Sequence, residues 1–193
     1  MKASIPGTVR RMQTPSDDSP RRFRGRMAAL LVLVIVSTVA VTGLLWVRSH
    51  GFSARATPGA FETAVARAVR SLAVPPAVRD LANPLQPTEL RLARARDHFA
   101  DHCATCHAND GSGKTMVNEG LYPPAHDLRS DDVQRMTDGE LFHVIREGVR
   151  FTGMPGWGGD EETNWELVLF VRHLPGLTAV EEAMMREVNG ERY

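Results

Sequence analysis

Cysteine is almost missing from this chain. Cys103 and Cys106 are the only two in 193 residues, and they lie three apart, which excludes a disulfide-built scaffold. No stretch alternates apolar and polar residues with period two, and no strand–helix–strand pattern appears, so a parallel α/β architecture is excluded as well. Net charge is also absent, with 23 Lys and Arg balancing 23 Asp and Glu, but the balance is divided along the chain. Residues 1–26 carry seven basic residues against two acids, and residues 48–96 carry eight Arg against three acids. Residues 97–193 carry eight basic residues against eighteen acids, a local charge of −10. An acidic second half excludes a nucleic-acid binder of the ordinary basic type. At 42% hydrophobic and 24% charged the composition is globular, and the length suits one modest domain with extensions.

Residues 27–47, from Met27 to Val47, hold no charged side chain at all. As a helix rising ~1.5 Å per residue they span roughly 30 Å, the thickness of a bilayer's hydrocarbon core. A core helix of a soluble domain rarely stays apolar on every face for so long. Trp46 stands near the exit, where an amphipathic ring suits the interface, and Arg21, Arg22, Arg24 and Arg26 crowd the entry. The positive-inside rule then makes 1–26 a basic cytoplasmic segment, 27–47 a transmembrane anchor and the rest extracytoplasmic. The alternative is a signal peptide cleaved near Ala54-Arg55-Ala56. That site lies well past the apolar run, the run is long for a signal peptide, and the charged segment before it is long too.

Three zones follow. Residues 48–86 read as a stalk in which a helix starting near Thr57-Pro58 sets Phe61, Val65, Val69 and Leu72 at helical spacing. We expect a spacer helix packing on its own domain; a basic amphipathic helix resting on anionic lipid is the alternative. Residues 87–176 read as an all-α unit. Thr88 caps a helix in which Leu92, Ala95, Phe99 and Cys103 share a face, and Thr137 with Glu140 forms a capping box. A helix from near Asp160–Thr163 carries Trp165, Val168, Leu169 and Arg172 along one side and stops at Pro175-Gly176. Long loops rich in Gly and Pro, 108–130 and 151–159, separate these helices and suggest that something non-protein organises them. Residues 177–193 form a charged tail helix capped by Thr178 and Glu181.

Cys103-Ala104-Thr105-Cys106-His107 is a C-x-x-C-H run, the signature of covalent haem attachment. Two thiols one helical turn apart can each add to a vinyl group of one porphyrin. The histidine that follows then falls under the ring, where an imidazole nitrogen binds iron. A thioredoxin-like pair needs a βαβ context that is absent, and a structural zinc site needs four ligands. A second axial ligand is sought among Met116, Met136, Met154, Met184, Met185, His126, His143 and His173. Met154 leads, because Thr152-Gly153-Met154-Pro155-Gly156-Trp157 is a loop whose glycines let backbone approach a macrocycle and whose proline holds Met154 extended. His126, in a Pro-rich loop, is the competitor, and five-coordinate iron is the third possibility.

Together, Phe99 through His107, Gly153-Met154-Pro155 and the helix from Trp165 to Leu174 resemble the class I monohaem c-type cytochromes, in their bacterial membrane-anchored form. The resemblance implies a small helical domain around one covalently bound haem c, with its first and last helices crossing and Phe99 near Trp165 or Leu169. It further implies that Pro123 or Pro124 offers the carbonyl that accepts the His107 Nδ1 proton. Tyr122 and Trp157 are candidates to reach the haem propionates.

A His/Met haem, with His107 and Met154 closing both axial positions, implies outer-sphere one-electron transfer and no catalysis. The expected protein is thus an electron carrier rather than an enzyme. It is held in the bacterial inner membrane by a single pass through 27–47, with its haem domain in the periplasm. No small-molecule substrate is expected. The acidic second half predicts redox partners with basic docking surfaces. The alternatives are a cytochrome subunit of a membrane dehydrogenase or oxidase complex, and a gas-binding protein with a labile sixth ligand.

Overall fold

The computed structural model describes residues 19–190, so the first eighteen residues of the expected cytoplasmic segment and the last three of the tail lie outside the described residues. Every regular element among the described residues is helical, and the chain divides after Phe52 into two compact units.

The first unit is one helix, α1 (Ser19–His50). Its stretch Phe23–His50 is long and apolar enough to cross a membrane, and none of it is buried in protein. The expected span 27–47 falls inside it. Both threonine hydroxyls in this apolar run are satisfied within the helix. Thr38 Oγ1 donates to the Val34 carbonyl and Thr42 Oγ1 to the Thr38 carbonyl, each at 2.8 Å, so neither brings an unpaired donor into an apolar surrounding.

The second unit starts with α2 (Ala60–Ala73) and the single turn α3 (Pro76–Arg79). The chain then enters α4 (Glu89–His98), capped by the Thr88 hydroxyl on the Arg91 amide. Phe99–Cys103 continues the helix as a π turn, in which the Ala104 amide reaches back five residues to the Phe99 carbonyl, and α5 (Ala104–His107) completes it. The wider turn breaks the simple four-residue stagger: Ala95, Phe99, Ala100 and Ala104 are buried, while Leu92 and Cys103 are only half-buried. Then come α6 (Asp131–Gln134), α7 (Asp138–Glu147), α8 (Glu161–His173) and α9 (Ala179–Asn189). Both expected capping boxes, Thr137 with Glu140 and Thr178 with Glu181, are formed, and Asp160 caps α8 through the Thr163 amide.

The first and last helices of the expected domain, α4 with its π turn and α8, do pack together. The aromatic pair at the crossing differs from the expectation, however. Phe99 meets Phe170, ring centroids 5.2 Å apart, while Trp165 stacks on Phe142 at 4.1 Å. Leu169 is half-buried and Phe170 fully buried, because α8 is apolar on more than one side and its rotation is chosen by the ring that best fills the crossing. Arg172 ties α8 to the turn before α7, donating to the Gln134 carbonyl at 2.7 Å and to Asp138 at 2.9 Å. The tail helix belongs to this core: Met185 is fully buried in it, and Asn189 Nδ2 donates to Asn109 Oδ1 at 2.7 Å.

The stalk helix corrects one expectation. No residue of α2 is buried; Phe61 and Leu72, of the stripe expected to pack on the domain, are 83% and 85% exposed. The helix is instead held by Arg67, which donates to Asp132 from the polar side, and by Glu62, beside the stripe, which accepts from the Tyr122 hydroxyl.

Candidate functional site

The attachment motif ends α5 on an abrupt reversal. Ala108 takes a positive φ of 59°, and the Gly113 amide returns to bond the His107 carbonyl at 2.8 Å. This turns the chain back along His107. The His107 Nδ1–H donates to the main-chain carbonyl of His126 at 3.3 Å, and the Phe99 ring stands 6.5 Å from the imidazole. Burial is the main influence on the His107 pKa and lowers it; the bond to the His126 carbonyl opposes the shift. The ring is therefore neutral at neutral pH, with Nδ1 occupied and Nε2 left as its donor nitrogen.

The two thiols are unpaired with each other. Cys103 is pushed up to about 12, by burial first and by Cys106 second, and burial raises Cys106 too. A dithiol redox pair relies on a lowered pKa, so this environment does not suit one. Among the described residues no three His, Cys, Asp or Glu side chains gather as a metal-binding group, and the zinc reading has no ligand set there.

Asn118 organises the long loop after the motif. Its side chain donates to the Gly113 carbonyl at 2.5 Å and to the Ala125 carbonyl at 3.2 Å, and accepts from the Ala125 amide at 2.5 Å. Those bonds fix the segment that carries the His126 carbonyl. Arg129 fastens its far end, pairing with Asp110 at 3.0 Å and Asp127 at 2.9 Å. The acceptor for His107 is thus His126 and not Pro123 or Pro124. The Tyr122–Pro123 bond is cis, and neither proline supplies the acceptor.

The second loop brings Met154 onto the same core. Gly148 ends α7 with φ +70°, and a Cβ there would overlap the backbone of Pro155 and Gly156. Only glycine lets the loop fold back that closely. The loop is then laced to α7 by Trp157 N–H on the Ile145 carbonyl at 3.2 Å and Gly158 N–H on the Arg146 carbonyl at 2.8 Å. The Met154 carbonyl accepts from Val149 at 3.2 Å, and its amide donates to Thr152 Oγ1 at 3.1 Å. A Cβ on Gly153 would come within 2.8 Å of the Leu121 side chain, so the two loops meet at that point. Met154 packs against the core together with Cys103 and Leu128.

Several other sulfur and imidazole groups have partners elsewhere. Met185 is fully buried in the core, and Met136 packs on it. Met184 Sδ lies 3.0 Å from an Arg96 guanidinium nitrogen, and His173 Nε2 bonds Glu181 at 2.7 Å. Met116 is 89% exposed. The His126 ring is exposed; its pKa is lowered by partial burial and then by Arg70 and Arg67. The Tyr122 hydroxyl is taken by Glu62 at 2.6 Å. Trp157 packs edge-on to His102, centroids 5.4 Å apart.

These residues fit a covalently held haem. Cys106, His107, Leu121, Leu128 and Met154 are all half-buried, each keeping uncovered surface, and Leu128 and Met154 pack on the core. One neutral imidazole, one thioether and two protonated thiols are the donor set such a group requires.

A family model described as Cytochrome C oxidase, cbb3-type, subunit III matches residues 91–171, a segment that holds the attachment motif, the His126 carbonyl and Met154 but neither α1 nor α2. No curated protein matches the chain. The matched segment, all-helical and holding C-x-x-C-H, is thus similar to a c-type cytochrome domain.

Proposed function

We propose that this chain is a membrane-tethered electron carrier with one haem c, bound through thioethers to Cys103 and Cys106 and ligated by His107 and Met154. When bound, the haem supplies a one-electron ferric/ferrous couple, and a thioether ligand favours its ferrous side.

The orientation of His107 carries this reading. Nδ1 and Nε2 point away from each other across the imidazole, so the His126 carbonyl lies behind His107, on the side remote from the iron-binding nitrogen. The exposed His126 ring belongs to that rear segment, among Arg67, Arg70 and Asp132. Met154 arrives on a different loop, with the Thr152 hydroxyl holding its amide. The protein's own tasks are to keep the imidazole neutral, hold its Nδ1 proton on a carbonyl, and shield the site with Phe99, Leu121 and Leu128. The apolar helix α1 supports a membrane tether, and the arginines crowding its entry favour a bacterial inner-membrane orientation with residues 48–193 in the periplasm. Its working partners are redox proteins with basic docking surfaces.

Optical spectra of the oxidised and reduced protein test the ligand set. The native chain should be low-spin in both states, with a Met-to-iron charge-transfer band when oxidised. Met154→Ala should lose that band and bind carbon monoxide readily. An unaltered spectrum in the variant would contradict Met154 as ligand, and ready carbon monoxide binding by the native protein would favour a gas-binding role.

A second reading follows from the description of the matching family. The chain would then act as the cytochrome subunit of a cbb3-type oxidase assembly, with the carrier site unchanged. Purification from native membranes in mild detergent separates the two readings, since a subunit would bring oxidase chains with it and a free carrier would come alone.

A further inference from the structure

The unusual feature outside the haem site is the way α2 is mounted. With 3.6 residues per turn, Phe61, Val65, Val69 and Leu72 fall within roughly an 80° arc, and Thr63 and Arg70 lie on nearly the opposite side. Thr63 and Arg70 are the two half-buried residues of α2, whereas all four members of the apolar stripe are exposed. Arg67 to Asp132 and Glu62 to Tyr122 hold the helix to its domain. An amphipathic helix ordinarily turns its apolar stripe into the protein. This one turns its polar side in and leaves the stripe outward.

We propose that the outward stripe of α2 lies in the headgroup–acyl boundary of the bilayer, so that α2 is a surface-lying helix between lipid and haem domain. The inference rests on α1 being a membrane anchor. Three observations name lipid as the occupant. Nine residues separate His50 at the end of α1 from Ala60 at the start of α2, and nine extended residues reach about 30 Å at most. A helix so tethered stays within reach of the membrane surface. The stripe is purely aliphatic and aromatic, as an interfacial helix requires. Arg48, in the last turn of α1, and Arg55, whose side chain is 76% exposed, stand between the span and α2 and complement anionic headgroups, while the acidic remainder of the domain is left for the aqueous side. Two attachments, the span and the stripe, would restrict the rotation of the haem domain over the membrane.

The test uses the full-length haem-loaded protein in mixed phosphatidylcholine–phosphatidylglycerol nanodiscs containing a lipid with a diazirine near the top of its acyl chain. After photolysis, adducts are mapped by peptide mass spectrometry. We expect adducts in α1, in α2 at Phe61, Val65, Val69 and Leu72, and none in α9. The double variant Phe61→Glu with Leu72→Glu should lose the α2 adducts by at least several-fold, keep those in α1, and keep the native optical spectrum. Adducts in α1 alone would overturn the proposal while leaving the anchor intact. Adducts in neither helix would overturn the anchor itself, and the proposal with it. Adducts in α2 that persist unchanged in the double variant, or protection of the stripe only after a protein is added, would also overturn it.

Discussion

The imidazole of His107 is tied to the main chain of His126 and not to its ring, through a hydrogen bond of 3.3 Å from Nδ1 to the carbonyl oxygen. A backbone acceptor makes the side chain at 126 dispensable for the bond. His126→Ala should therefore keep the low-spin spectrum and the Met charge-transfer band of the native protein. Loss of the band in this variant would contradict a purely main-chain role and make the His126 side chain part of what holds the site together.

Asn118 is buried and makes three side-chain hydrogen bonds to Gly113 and Ala125. Removing it strands the Ala125 carbonyl and amide, while the Gly113 carbonyl keeps the Thr115 amide at 3.0 Å, and this costs about 1–3 kcal/mol for each group left unsatisfied. Asn118→Ala should lower the denaturant midpoint of the reduced protein correspondingly. Because the loop also positions the His126 carbonyl, the variant's reduction potential should shift as well. A variant with native stability would show that Asn118 does not hold the loop.

Much of the helical frame was legible in the sequence. The caps at Thr88, Thr137, Asp160 and Thr178 follow from short-range hydrogen bonding, which is encoded within four residues. C-x-x-C-H is equally local, since its spacing is one helical turn. What escaped depends on contacts between distant segments. Phe170 was hidden because α8 offers apolar residues all round, and only the crossing with Phe99 selects among them. The His126 carbonyl was hidden because a backbone acceptor leaves no mark on residue type, so nearby prolines drew the expectation instead. Asn118 gave no signal at all: one Asn in a loop rich in Gly and Pro looks like turn chemistry. The outward stripe of α2 follows the expected periodicity, but its orientation was set by Arg67 and Glu62, whose partners lie some sixty residues further on.

Acid should loosen the tail helix first through Glu181. Burial acts to raise this carboxyl's pKa, but it is outweighed by the Thr178 amide at 2.8 Å, the Thr178 hydroxyl at 2.7 Å and His173 Nε2 at 2.7 Å, and the group ends below its ordinary value. The folded chain thus binds this proton less readily than the unfolded chain. The stabilisation is complete above the unfolded value, about pH 4.3, and is lost as pH falls through the lower folded value. The stability difference between the native protein and Glu181→Gln should be present at neutral pH and close in acid, as read by urea unfolding across that range. A difference independent of pH would contradict the assignment.

Electron exchange should depend on salt. With eighteen acids against eight basic residues in 97–193, encounter with a basic redox partner is steered by charge, and such rates fall steeply as ionic strength rises. Stopped-flow oxidation by a basic acceptor should slow at least several-fold between low and physiological salt, while an acidic acceptor should show the opposite trend. Rates indifferent to salt with both acceptors would remove charge from the account of docking.

Covalent attachment of one haem is the central claim, and intact-mass spectrometry of the protein matured in a host with a cytochrome c assembly system tests it most directly. The chain should carry the added mass of a single haem that survives denaturation and acid–organic extraction, and a combined Cys103→Ala and Cys106→Ala variant should lose it. A native chain recovered at its bare polypeptide mass, or one whose haem is removed by extraction, would contradict the account.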